Sequence, residues 1–129
     1  MSDKYVNLLV QGRAEAERRI SNWKESQTKA GAFIREIENL LRRSHIVGED
    51  LTIENHGRAI SITSKKPTKR HLLIRADTGQ IFLYAVDNAS AEETSVASCL
   101  LEHDESSKEM FFVTIGEHIK YLEAGDEWL

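Results

Sequence analysis

Ser44-His45-Ile46-Val47-Gly48-Glu49-Asp50-Leu51-Thr52-Ile53 is the stretch over which the chain changes its period. On its N-terminal side, apolar or small residues recur every three or four positions: Val6, Leu9, Ala16, Ile20, Trp23, Ala30, Ile34, Ile37 and Leu41. That spacing puts one stripe on one face of a helix. Beyond Gly48 the period is two: Leu51 and Ile53 alternate with polar neighbours, as do Ile60 and Ile62. Alternation of this kind marks half-buried strands. The fold class follows: α+β, a long N-terminal helix packed on a five- or six-stranded, mainly antiparallel sheet, with a short C-terminal helix.

Residues 4–44 are expected to be helical. They contain no proline and are rich in good helix formers, such as Ala14 to Arg19 and Ile34 to Arg43. Glu15 and Arg19, Glu25 and Lys29, and Glu38 and Arg42 lie four residues apart, in the orientation that supports an exposed face. Arg13 and Gln27 interrupt the apolar seam, and Gly12 and Gly31 are its weak points. A continuous helix over this range would reach about 60 Å, at 1.5 Å per residue. A compact domain of this size should be only about 35–40 Å across. The helix must therefore break, near Gly31 or Gly12, or project from the body. A projecting apolar stripe needs a cover, most simply a second copy. Ile20, Trp23, Ile34 and Ile37 are the candidate contacts of a homodimer.

Asn55-His56-Gly57 reads as a tight hairpin connection, and Ser64 to Lys69, with the only proline, as a loop. Residues 70–76 and 80–87 form a second pair of strands around Asp77-Thr78-Gly79. Gln80 to Asp87 is apolar on both faces and is expected at the centre of the sheet. Residues 90–103 carry two signals. Ser90 to Glu93 fits a capping box, while Val96 to Leu101 alternates, and a strand over about 95–103 is favoured. Glu109 to Ile115 reads as a further strand with Phe111, Val113 and Ile115 on one face. Gly116 would end it, and 117–124 would be the short helix. The whole of 1–129 is one domain, with the sheet over 50–116.

Five histidines are scattered without zinc spacing, and Cys99 has no partner cysteine, so no metal site and no cofactor are expected. His56 and His71 lie on separate elements that the fold could bring together. Cys99 sits in an apolar run and reads as a small buried hydrophobe. There is no nucleophile elbow, phosphate-cradling glycine loop or His-Glu-x-x-His motif. The paired carboxylates, Glu92-Glu93 and Asp104-Glu105, fall in turns and read as solvated. An enzyme is disfavoured. No apolar run approaches the ~20 residues that span a bilayer. The N-terminal residues have no basic region feeding an apolar core, so a cytoplasmic protein is expected.

The charge is divided. Residues 1–75 carry 15 Lys or Arg against 9 Asp or Glu, and residues 76–129 carry 2 against 12. Its densest part is Lys65-Lys66-Pro67-Thr68-Lys69-Arg70-His71, flanked by Arg58 and Arg75. Arg58, Lys65, Lys66, Lys69, Arg70 and Arg75 are the candidate phosphate contacts of a nucleic-acid-binding reading. A third reading is a small-ligand binder with an apolar pocket between helix and sheet, lined by Phe82, Tyr84 and Phe112. The terminal Trp128-Leu129 is expected to be either tucked into a groove or offered to one. The leading reading is a small non-catalytic interaction or regulatory protein, acting through self-association and protein partners.

Overall fold

The structure is a computed structural model and describes residues 2–77, 79–101 and 105–125. In chain order it runs α1 (Ser2–Ser44), β1 (Leu51–Asn55), β2 (Ala59–Ser64), β3 (Arg70–Asp77), β4 (Gln80–Asp87), β5 (Glu93–Leu100) and α2 (Glu105–Ala124). The five strands form one antiparallel sheet in sequential order, each paired with its chain neighbours. Both helices pack on the same face, so the domain has two layers.

Strand alternation divides the sheet. Leu51, Ile60, Ile62, Leu72, Ile74, Ile81, Leu83 and Cys99 point to the helices and are buried. Helix α1 answers with Ala30, Phe33, Ile34, Ile37 and Leu41, and α2 with Phe111, Ile115, Ile119 and Leu122. Ile34, Ile37, Ile60, Ile74 and Leu83 are wholly buried, each contributing roughly 1.5–3 kcal/mol by removal from water. No polar or charged residue is buried among the described residues. The core is held by apolar contact and sheet hydrogen bonds.

Local chemistry sets the ends of the elements. Helix α1 finishes with Arg42 and Arg43 in its last turn, favourable beside the negative end of its dipole. The Ser44 hydroxyl donates to the Leu41 carbonyl at 2.9 Å, and His45 turns the chain with φ 58°. Between β1 and β2, Gly57 takes φ 92° and donates its N–H to the Asn55 side-chain oxygen at 2.6 Å. That is the tight connection Asn55-His56-Gly57 implies.

One expectation is corrected and one open alternative is decided. Residues 109–115 are not a strand: the sheet ends at Leu100, and one helix of 20 residues covers Glu105–Ala124. Phe111, Ile115, Ile119 and Leu122, spaced four, four and three, form its buried stripe, while Val113 is 53 % exposed. The β-branched and aromatic run Phe111 to Ile115 mimics a strand, but its apolar residues continue at helical spacing to Leu122. Gly116 lies inside the helix. The alternative that is decided concerns α1. It does not break at Gly31 or Gly12 but runs unbroken for 43 residues, about 65 Å at 1.5 Å per residue. The expected strand near 95–103 is β5, although 102–103 lie outside the described residues, as do His103, Asp104 and Trp128-Leu129.

Candidate interaction surfaces

Because α1 is continuous, its two halves live in different environments. From Ala30 to Leu41 the stripe is buried on the sheet. From Asp3 to Glu25 every residue is exposed. This projecting arm carries Tyr5, Val6, Leu8, Leu9 and Val10 near its tip and Ile20 and Trp23 near the body. Its surface is laced by ion pairs within the helix: Arg13–Glu17 at 3.2 Å, Arg19–Glu15 at 3.6 Å and Lys29–Glu25 at 3.5 Å. Such pairs support a helix by roughly 0.2–0.5 kcal/mol each and leave its apolar side unchanged. Of the four candidate dimer contacts, Ile20 and Trp23 are 53 % and 56 % exposed, whereas Ile34 and Ile37 are at 0 %. The sheet occupies that half of the stripe, so Ile34 and Ile37 belong to the intrachain core and not to a contact between copies.

The basic residues do not form one patch. Arg58 and Lys65-Lys66 lie beyond opposite ends of β2, roughly 20 Å apart at about 3.3 Å per strand residue. Lys66 lies 3.1 Å from the Asp50 carboxylate. The Arg58 guanidinium reaches the Ala76 carbonyl at 3.4 Å. Arg75 donates to both carboxylate oxygens of Glu93, at 2.7 and 3.0 Å, and lies 4.6 Å over the Tyr84 ring. Arg70 sits close enough to Asp87 to help stabilise its charge. The Asp87 carboxylate accepts the Ser90 and Ala89 N–H groups, both at 2.9 Å, which hold its pKa below the usual carboxylate range. Lys65 and Lys69 are exposed. Carboxylates therefore stand among the cations that a phosphate would need.

The aromatic residues expected to line an apolar pocket are divided by the sheet. Phe82 and Tyr84 stack at 5.7 Å on the sheet face away from the helices. Phe112 belongs to α2 on the other side, 6.4 Å from Phe33. The three cannot line one cavity between helix and sheet. His56 and His71 lie at opposite ends of the sheet, bonded to Ser61 and Asn88 respectively. No group of three metal-ligating side chains is found among the described residues. Cys99 is buried on the inner face, and its burial pushes the thiol pKa up, the opposite of an activated nucleophile. Among the described residues no helix is long and apolar enough to cross a membrane.

One polar contact ties α1 to the sheet edge. Asn55 donates to Glu38 at 2.6 Å, and Arg42 bonds the other carboxylate oxygen at 3.0 Å. The Asn55 bond, then Arg42, holds Glu38 below its ordinary pKa. A depressed folded pKa means that the stabilisation is complete above the ordinary glutamate range and is lost as pH falls through the folded value. Asn55→Ala should move the Glu38 titration, followed by carboxyl carbon NMR, upward; an unmoved titration would show that the bond does not form in solution.

Against known proteins, no family model, no curated protein and no solved structure matches this chain.

Proposed function

We propose that the protein is a non-catalytic, self-associating interaction module in which the projecting half of α1 joins two copies. The observation that carries this reading is the uninterrupted exposure of residues 3–25 in register with a buried stripe at 30–41. The same helical face that holds the sheet continues outward as Val6, Leu9, Ile20 and Trp23 with no cover. Contiguous exposed apolar surface of this kind marks an interaction site. Most helical stability in proteins comes from packing of the apolar face, so an arm without such packing gains from a partner.

The seam positions alternate by three and four from Val6 through Leu41, the spacing of a two-helix seam. Each of its large side chains is already partly shielded, so pairing adds about 1 kcal/mol apiece. That total is of the same order as the cost of association, which makes the dimer sensitive to dilution. Sedimentation equilibrium of the full chain, from low micromolar to several hundred micromolar, should resolve a monomer–dimer equilibrium. A monomer throughout that range would refute the proposal.

A further inference from the structure

We propose, resting on the self-association reading above, that the two arms pair antiparallel and that the tip of each seats in a cleft on the body of the other. Three observations select this geometry.

A closed two-fold dimer permits two arrangements of one helix against its copy: parallel in register, or antiparallel. Taking Val6, Arg13 and Ile20 as a positions and Leu9, Ala16 and Trp23 as d positions, the parallel form sets Arg13 against Arg13 inside the seam. It also sets Arg19 beside Lys24 of the second copy, on both flanks. Like charges in such contacts oppose assembly. The antiparallel form with full overlap of the arms layers Val6 on Trp23, Leu9 on Ile20 and Arg13 on Ala16. Two of the layers join a larger side chain to a smaller one, and Leu9 on Ile20 pairs two of equal size. The small Ala16 leaves room for Arg13, whose guanidinium is already held by Glu17 at 3.2 Å.

The flanking charges agree. In the antiparallel register Asp3 lies within one helical turn of Lys24 of the second copy, twice per dimer. Among the described residues neither Asp3 nor Lys24 has an ion-pair partner within its own chain.

The third observation is where the tip arrives. In this register Tyr5 comes level with Lys24, within one helical turn of Ser26, where α1 meets the body. There an open cleft of about 440 Å³ has Glu25, Ser26, Lys29, Gly79, Leu100 and Leu101 among its lining residues. Tyr5 is 63 % exposed and Leu100 50 % exposed. The cleft takes the Tyr5 ring against Leu100 and Leu101. The occupant is thus the first turn of a second copy, and the arm length from Asp3 to Ser26 is what delivers it.

Nitroxide labels on Lys4→Cys or Gln11→Cys of the full chain test the geometry by dipolar spectroscopy, with the wild-type chain and its buried Cys99 as the labelling control. Both sites lie on the outer face of the arm. The antiparallel form offsets the two Lys4 labels by about 32 Å along the axis and the two Gln11 labels by only about 10 Å. Equal separations at both sites would overturn the antiparallel arrangement while leaving self-association standing. No dipolar coupling, with a chain that sediments as monomer, would overturn both. Leu100→Asp, an exposed change, should raise the dimer dissociation constant about tenfold or more. An unchanged constant would remove the cleft from the interface.

Discussion

Ile37→Ala will cost about 2–5 kcal/mol of folding stability, whereas Ile20→Ala in the dilute chain will change it by less than about 0.5 kcal/mol. The two residues lie on one stripe of one helix, and the sequence pattern does not tell them apart. Ile37 is at 0 % exposure among Ile34, Leu41 and the inner face of the sheet. Its truncation leaves a cavity that surrounding side chains fill only in part. Ile20 stands on the arm, 53 % exposed, with no sheet beneath it. Urea denaturation at low protein concentration measures both. The contrast sharpens with charge: Ile37→Asp buries an unpaired carboxylate and should abolish the cooperative transition, while Ile20→Asp should leave the melt of the dilute chain in place and lower association. Equal losses of stability at the two sites would mean that the arm folds back onto its own body.

Phe111→Ala should cost about 3–5 kcal/mol, and Val113→Ala should stay within about 0.5 kcal/mol. In a strand those two side chains would share a face and both would cost. In α2 they are about 200° apart around the axis: Phe111 is 1 % exposed and Val113 53 %. Gly116 adds a change of opposite sign. A Cβ there meets nothing within 4 Å, so Gly116→Ala should stabilise by up to about 1 kcal/mol through helix propensity. A loss at Gly116 and equal losses at Phe111 and Val113 would argue for the strand. Chemical denaturation of the three variants decides between them.

These contrasts also measure what the sequence could convey. Period is a local property, and where it was long the elements were legible: α1 from its seam, β1 to β4 from their alternation and turns, β4 as a strand apolar on both faces. Phe111 to Ile115 is too short to separate period two from period 3.6, and the β-branched residues tipped it toward a strand. The helical evidence lay further on, at Ile119 and Leu122. Burial is a tertiary property, so the boundary within α1 between docked and free residues could not be read from a seam that is uniform across it. The candidate phosphate contacts failed to gather for a similar reason. Lys65, Lys66, Lys69 and Arg70 are neighbours in the chain, but Arg58 lies at the far end of β2, and Arg75 is held by Glu93, 18 residues away in sequence. The charge division between the two halves of the chain is partly resolved by that pairing across β3 and β5.

The strictly sequential strand order bears on how the molecule is made. Every ladder joins strands that follow one another in the chain, so each hairpin can close over a short loop with little entropy lost. Chains dominated by such nearby contacts cross their folding barrier quickly for a β-rich protein. A contact between elements far apart in the chain is the meeting of the two helices at Phe33 and Phe112, 6.4 Å apart. It joins α1 to α2 across all five strands, so its loop is the costlier one to close. During synthesis the arm and the strands emerge before α2, so the inner face of the sheet stays half covered until α2 follows.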